Sequence, residues 1–140
     1  MKIMLIVLIT FVSVGVVLAA DSSKTAGAPI KIGGPLSLTG VWAESGKWVK
    51  AGYELWKEDV SRRGGLLGRP VELIIYDNES DTDKAVSYYE RAITVDKVDL
   101  LLGGTPGTAN VAVMPLAEKY KKVFVGLGGH MKSFERGYTL

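Results

Sequence analysis

The fold is decided by one stretch, residues 30–77, with the sequence IKIGGPLSLTGVWAESGKWVKAGYELWKEDVSRRGGLLGRPVELIIYD. Its first seven residues are an apolar run closed by Pro35 and a Ser/Thr/Gly segment, which predicts a β-strand. From about residue 43 to 63, apolar side chains recur every three or four residues, as they do on one face of a helix. A Gly-Gly pair ends that helix, and the apolar run 71–77 predicts a second strand that is buried on both faces. The predicted inner face of the helix consists of Val49, Tyr53, Trp56 and Val60.

The same alternation continues along the rest of the chain. We expect a helix over 82–96, a strand over 100–103, a helix over 108–120 and a strand over 123–126. Ser80 and Asp81 are candidate N-caps of the second helix, whereas Pro115 should bend the third helix or shift its start. The predicted inner face of the second helix consists of Ala85, Tyr89, Ala92 and Ile93. Repeated strand-helix-strand units predict an α/β fold: an open parallel sheet with helices on both faces and right-handed crossovers.

Such a sheet should have its first strand in a central position. The second strand would lie on one side of it, and the third and fourth strands on the other. Because the order reverses between strands one and three, a ligand is expected in the crevice beyond the carboxyl ends of these two strands. This rule indicates the loops at 37–46 and 104–108, with the loop at 127–131 beside them.

The loop after the third strand, GGTPGT at 103–108, leads directly into a helix. Its glycines allow close approach of a ligand, and free N–H groups at a helix N-terminus bind anions. A phosphate loop requires a Lys that is absent here, and no segment fits the dinucleotide pattern G-x-G-x-x-G. A carboxylate is a suitable ligand for this loop with its two hydroxyls, Thr105 and Thr108. The alternative, that the glycines only form a tight turn, remains open.

The first loop offers hydroxyls at Ser37, Thr39 and Ser45, and Trp42 as a flat apolar surface. The other interpretation of Thr39 or Ser45 is the N-cap of the following helix. Trp48 and Trp56 lie at helical spacing, so we expect them to be packing residues.

Two other features do not support a metal site or catalysis. The segment DNESDTD at 77–83 resembles a calcium loop, but Thr82 stands where the sharp turn needs Gly and no Glu closes the loop, so we interpret it as a strand end and a capped helix. His130 is the only histidine, and the chain has no cysteine. We therefore expect no cofactor, no metal and no enzymatic activity; His130 is expected to make a polar contact at the crevice rim.

The first twenty residues have the pattern of a signal peptide: Met1-Lys2, an apolar run over 3–17, and Leu18-Ala19-Ala20 before Asp21. An uncleaved N-terminal anchor is the alternative, although the apolar run is shorter than the roughly 20 residues of a spanning helix. Either way the chain is expected to be exported to the periplasm. Residues 21–29 are expected to form a flexible leader, and residues 30–140 one domain.

The charges do not indicate a nucleic-acid or membrane partner. The 17 Lys and Arg residues nearly balance the 15 Asp and Glu residues, so the chain presents no basic field for nucleic acid or an anionic membrane. The absence of cysteine also means that no disulfide stabilises the domain, which must depend on its core.

Four segments occur in a characteristic order between Ile30 and Tyr138. They are IKIGGPLSLTG from Ile30, GYELWKEDVSRRGGLLGRPVELIIYDNESD from Gly52, AEKY from Ala117 and FERGY from Phe134. In this order they resemble the N-terminal lobe of type I periplasmic solute-binding proteins of ABC importers, in the branched-chain amino acid (leucine/isoleucine/valine-binding-like) family. The resemblance implies a Rossmann-like lobe of a two-lobed clamshell, which closes on an amino acid or similar small carboxylate and then docks on a membrane permease.

The resemblance also implies which residues bind the ligand. The loop after the third strand would hold the carboxylate, and the first and fourth loops would add contacts. The implied residues are Trp42, Ser45, Thr105, Pro106, Gly107, Thr108, Gly128, Gly129 and His130. Adjacent serines, usual in the third-strand loop of amino-acid binders, are replaced by Gly-Thr-Ala at 107–109, so another carboxylate, an aromatic acid or an amide remains open.

Members of this family are two to three times longer than this chain. We therefore expect the chain to be truncated, with its second lobe absent, and the complete protein to be a monomer. A ligand-sensing domain of a membrane receptor shares this lobe and is the alternative function. An exported α/β enzyme would need a nucleophile and a base at the strand ends, where only His130 stands near hydroxyls.

Overall fold

The structure, a computed structural model, describes residues 27–127. Four strands alternate with three helices along the chain. They are β1 (Ile30–Leu36), α1 (Ala43–Arg62), β2 (Val71–Asp77), α2 (Thr82–Thr94), β3 (Leu100–Leu102), α3 (Gly107–Lys119) and β4 (Val123–Val125). All seven predicted elements are confirmed, and their bounds differ from the predicted ones by at most two residues.

The four strands form one parallel sheet in the order β2-β1-β3-β4, as the sequence predicts. The register pairs Ile30 with Val71, Ile32 with Leu100 and, further along the sheet, Leu100 with Val123. The connection through α1 runs to one side of β1, and the connection through α2 returns past β1 to the other side. The order therefore reverses between β1 and β3, which defines the predicted crevice.

Helices α2 and α3 cover one face of the sheet with a continuous apolar core. The inner face predicted for α2 is confirmed, because all four of its residues are buried. Val113 and Ala117 of α3 join them, together with Leu101 of β3. Helix α3 continues through Pro115 and begins one residue before its predicted start. At the start of α2, Asp81 is the N-cap, and its carboxylate accepts a hydrogen bond from the Lys84 N–H.

The other face, which carries α1, has a smaller core. Val60 packs there with Ile30, Ile32 and Val71. The prediction that Trp48 and Trp56 are packing residues is wrong: 73% of Trp48 and 37% of Trp56 is exposed. The three-and-four periodicity does identify α1 correctly, but among residues 27–127 no element covers the side of the helix that carries these two tryptophans.

The burial predicted for β2 is also wrong. Only Val71 of its seven residues is buried. In the described part of the chain, β2 pairs on one side only and lies at the edge of the sheet. An apolar run of this kind does not distinguish an edge strand from a central one, because α1 and α2 still half-cover both faces of an edge strand.

Candidate functional site

The carboxyl ends of β1 and β3 lie side by side at the point where the strand order reverses. The chain leaves β1 toward α1 on one face and leaves β3 toward α3 on the other face, so the two connections separate and a crevice opens between them. One wall of the crevice, the first wall, is the segment 37–46. The other, the second wall, is the segment 103–108.

The second wall presents free hydrogen-bond donors. Helix α3 begins at Gly107 with Pro106 as its N-cap residue, and no side chain caps it. Among the described residues, the N–H groups of Gly107 and Thr108 have no hydrogen-bond partner, whereas the Ala109 N–H donates to the Pro106 carbonyl at 3.1 Å. Thr108 is exposed, and the space beside the Gly107 Cα is open. Two unpaired N–H groups at the positive end of a helix form a favourable site for an anion.

The hydroxyl of Thr105 adds to this set. Its Oγ1 is buried and has no hydrogen-bond partner within residues 27–127. A buried hydroxyl without a partner costs free energy, so such groups are usually paired with protein, water or ligand. Thr105 stands two residues before the free N–H of Gly107, so its hydroxyl and the helix N-terminus belong to the same wall.

Ser37 joins the two walls directly. Its side chain is fully buried at the end of β1. The Oγ lies 2.6 Å from the carbonyl oxygen of Thr105 and 2.8 Å from Oδ1 of Asn78, and the single hydroxyl proton can be donated to either acceptor. The first wall and the second wall are therefore joined by a partly buried hydrogen bond from Ser37 to the Thr105 carbonyl.

Asn110 of α3, a residue that the sequence analysis did not identify, holds the second wall in place through hydrogen bonds of its side chain. Its buried side chain accepts from the Gly104 N–H at 3.2 Å, and its Nδ2 donates to the carbonyl oxygens of Gly104 at 3.1 Å and of Leu127 at 2.7 Å. These three bonds connect the loop after β3 with the segment after β4. The amide of Asn suits this position because it offers an acceptor and two donors.

Two tyrosines fix the end of β3 from opposite faces of the sheet. Tyr53 of α1 donates its hydroxyl to the Gly103 carbonyl at 2.6 Å, and Tyr89 of α2 donates to the Leu102 carbonyl at 2.8 Å. Burial raises the pKa of Tyr53 to about 12 and raises the pKa of Tyr89 as well. Both hydroxyls therefore remain protonated donors at neutral pH.

The first wall carries the predicted residues Trp42 and Ser45. Trp42 is the N-cap residue of α1 and is 45% exposed, and Ser45 is exposed in the first turn of the helix. No hydrogen bond within residues 27–127 joins either residue to the second wall. The alternative interpretation, in which Thr39 or Ser45 caps α1, is wrong. Trp42 is the N-cap residue, Ser80 of the neighbouring loop accepts from the Trp42 N–H, and Thr39 donates to Asp77.

The first turn of α1 lies very close to the end of β1. A Cβ on Gly46 would overlap the Ser37 carbonyl, so only glycine fits at this helix position.

The predicted site residues Gly128, Gly129 and His130 lie outside the described residues. The signal peptide and most of the predicted leader do so as well, but Ala28 and Pro29 accept hydrogen bonds from Arg69.

The segment 77–83, which resembles a calcium loop, uses its acidic oxygens within the protein. Asp77 accepts from the N–H groups of Leu38, Thr39 and Glu79, and Asp81 caps α2. Across residues 27–127, no group of three His, Cys, Asp or Glu side chains is arranged to hold a metal ion. Over the same range, no helix is both long and apolar enough to cross a membrane.

Residues 29–139 match the family described as periplasmic binding protein. The chain belongs to the periplasmic binding protein family. Proteins of this family bind solutes rather than catalyse reactions. The family's periplasmic location also agrees with the export that the sequence predicts.

Solved structures of this family have the same fold. LivJ of Streptococcus pneumoniae, a branched-chain amino acid transporter substrate-binding protein determined with isoleucine, is 26% identical with a TM-score of 0.73, and the match covers 78% of this chain and 31% of LivJ. The leucine-binding protein LivK of Thermotoga maritima is 30% identical with a TM-score of 0.64, covering 69% and 27%. A solute-binding protein of Rhodopseudomonas palustris, in complex with 3,4-dihydroxybenzoic acid, is 26% identical with a TM-score of 0.62, covering 69% and 26%. The chain thus spans about a third or less of the length of these relatives.

Proposed function

We propose that this chain provides one ligand-binding lobe of the extracytoplasmic solute-binding component of an ABC importer. The second wall, with Thr105, Pro106, Gly107 and Thr108, would bind the carboxylate of an amino acid or similar small acid. The observation that carries the proposal is the pair of unpartnered N–H groups at the start of α3 beside the unpartnered Thr105 hydroxyl. Two free N–H donors with an unpartnered hydroxyl in the same loop suit a carboxylate, whose two oxygens accept up to about four hydrogen bonds.

The ligands of two relatives support this class of solute. Isoleucine and 3,4-dihydroxybenzoic acid, which are bound by LivJ and by the R. palustris protein, differ in size and polarity but both contain a carboxyl group. In our proposal the second wall recognises this shared group. The first wall would contact the rest of the ligand, with Trp42 as a flat apolar surface and Ser45 as a polar contact. Gly128, Gly129 and His130 are proposed to complete the rim.

The remaining parts of the proposal concern export and transport. Residues 1–20 would be the signal peptide that directs the chain to the periplasm, residues 21–29 would be a flexible leader, and residues 30–140 would form the lobe. A second lobe would close over the ligand, and the closed protein would deliver it to a permease in the membrane. In an open lobe, a charge pair at about 4 Å is worth only about 1 kcal/mol. We therefore expect this chain alone to bind free amino acids at millimolar strength.

Isothermal titration calorimetry tests this proposal. A chimera that joins this chain to the second lobe of LivJ should bind isoleucine or another small acid much more tightly than the chain alone. Thr108→Ala in that chimera keeps the backbone N–H and removes the hydroxyl, which we also propose as a contact of the carboxylate. It should weaken binding by about 1–3 kcal/mol, the value of a lost hydrogen bond to a charged group. Thr94→Ala is the matched control and should leave binding unchanged, because Thr94 ends α2 just before the start of β3, at the opposite end of the strands from the crevice. Micromolar binding by the chain alone would contradict the proposed site.

A further inference from the structure

The first wall is held by the end of β2 and the loop that follows it, and its first contact is the carboxylate of Asp77, the last residue of β2. Oδ1 of Asp77 accepts from the N–H groups of Leu38 at 2.9 Å, Thr39 at 3.2 Å and Glu79 at 2.8 Å. Oδ2 accepts from the Thr39 hydroxyl at 2.8 Å. Within residues 27–127 the Thr39 N–H has no other acceptor, so the position of this part of the wall depends on Asp77.

Ser80 of the same loop holds the other end of the first wall. Its hydroxyl donates to the Thr39 carbonyl at 2.8 Å and accepts from the Trp42 N–H at 3.0 Å. Helix α1 has no cap from its own N-cap side chain. Ser80 therefore caps α1 from outside and fixes the backbone of Trp42, the residue that we propose as the flat apolar surface of the first wall.

The backbones of the two loops also interlock. Glu79 and Ser80 both adopt left-handed conformations, with φ of 55° and 65°, which non-glycine residues rarely adopt. Gly40 of the first wall has φ of 79°, and a Cβ there would lie 2.6 Å from both the Glu79 carbonyl oxygen and the Ser80 hydroxyl. Unfavourable backbone conformations persist only where surrounding contacts determine them, and they concentrate at functional sites.

These contacts do not serve the helix that follows the loop. Helix α2 is already capped by Asp81, which accepts from the Lys84 N–H. The side chains of Asp77 and Ser80 instead reach back to the first wall, 38 to 41 residues earlier in the sequence. Between them, Asn78 lies against Ser37, which in turn contacts Thr105 of the second wall.

We propose that Asp77 and Ser80 are positioning residues of the ligand site, which hold the first wall from Thr39 to Trp42 in its ligand-binding conformation without touching the ligand. The assignment of the wall to a ligand rests on the proposed function. The consequence is that this wall is preformed, so ligand binding carries no free-energy cost for ordering it.

Amide hydrogen exchange in the full 140-residue chain tests the positioning. In Asp77→Ala, exchange of the Thr39 amide should accelerate by about tenfold or more, because a hydrogen bond to a charged group is lost. Asp77→Asn keeps an oxygen acceptor and should give a smaller acceleration. In Ser80→Ala the Trp42 amide should accelerate in the same way. The matched controls are Asp83→Asn, whose carboxylate has no hydrogen bond or ion pair within the described residues, and Ser87→Ala, whose hydroxyl bonds within α2.

The ligand arm uses L-isoleucine at millimolar concentration, with the NMR signals of the Trp42 indole and the Thr108 amide followed in each variant. We expect the Asp77→Ala and Ser80→Ala variants to lose the Trp42 response and to keep the Thr108 response.

Unchanged exchange at Thr39 and Trp42 would overturn the positioning role, and so would an equal acceleration at the buried Val113 amide. In a third outcome, the unmodified chain responds at Thr108 and the variants show the same Trp42 response as the unmodified chain. That outcome refutes the positioning role and leaves the proposed function standing. If the unmodified chain responds at neither signal, the proposed function is wrong, while the exchange rates still decide whether Asp77 and Ser80 order this loop.

Discussion

Two glycines of helix α1 should respond in opposite directions to the same substitution. Gly46→Ala places a methyl group where it overlaps the backbone carbonyl of Ser37, whereas Gly52→Ala places one in open space, with nothing within 4 Å. Both positions lie inside the helix, so both substitutions gain the same intrinsic helix propensity, about 1 kcal/mol. The comparison therefore isolates the close approach between α1 and the end of β1.

The expected magnitudes follow from these contacts. Gly52→Ala should stabilise the chain by about 0.5–1 kcal/mol, because only the propensity changes. At Gly46 the obstacle is backbone rather than a flexible side chain, so the first turn of α1 must move away from Ser37. Forced overpacking costs about 1–3 kcal/mol, and here the displaced carbonyl belongs to the residue that joins the two walls. We expect a net destabilisation of about 1–2 kcal/mol after the propensity gain is subtracted.

Urea unfolding followed by circular dichroism measures both changes as shifts of the midpoint at constant slope. Gly46→Ala should lower the midpoint and Gly52→Ala should raise it. The reasoning is refuted if Gly46→Ala is neutral or stabilising, because α1 then does not approach Ser37 as closely as described. A destabilising Gly52→Ala would show that the flank of α1 carrying Trp48 and Trp56 is covered.

Further predictions concern the groups that fix the walls. Asn110→Ala removes three hydrogen bonds, two of them buried, and should lower the unfolding free energy by about 2–4 kcal/mol in the same urea assay. The control Ser61→Ala, at an exposed residue, should change it by less than about 0.5 kcal/mol. A loss of less than about 1 kcal/mol for Asn110→Ala would contradict its role in fixing the second wall. Burial alone would raise the pKa of Asp77, but hydrogen bonds from Glu79, Thr39 and Leu38 outweigh it and lower the pKa below the ordinary value of 3.8. The contribution of Asp77 to stability is therefore present above that ordinary value and is lost as the pH falls through the lowered pKa. Below about pH 4, stability should fall more steeply in the unmodified chain than in Asp77→Asn; parallel curves would contradict it. Ser37→Ala removes the hydroxyl that donates to the Thr105 carbonyl, so it should destabilise the folded chain by about 1–3 kcal/mol and change the NMR shift of the Gly107 amide. An unchanged Gly107 signal would show that the walls are not joined through Ser37.

The features that the sequence predicted correctly depend on local pattern. The spacing of Ala85, Tyr89, Ala92 and Ile93 is enough to identify the buried side of α2. The strand order is the one expected of a doubly wound parallel sheet, whose strands extend to both sides of the first. The crevice between β1 and β3 follows from that order. These features could be predicted because each depends on neighbours along the chain or on a general rule of parallel sheets.

The features that the sequence analysis missed depend on distant partners. Nothing near Trp42 indicates that its cap would come from Ser80, and nothing near Asn110 indicates that it would bind Gly104 and Leu127. One signal was available for Asp77 and Asn78: polar residues that directly follow a strand lie at the same edge of the sheet as the crevice. The exposure of Trp48 could not be predicted, because periodicity identifies a helix face and not what covers it.

The central claim is that a carboxylate binds at the start of α3, and amide chemical-shift mapping tests it most directly. The full chain labelled with ¹⁵N is titrated with L-isoleucine and, in parallel, with L-isoleucinamide, which has the same side chain and no carboxylate. We expect isoleucine to shift the Gly107 and Thr108 amides and isoleucinamide to leave them unchanged. Equal shifts from both compounds, or shifts confined to residues outside the two walls, would contradict it.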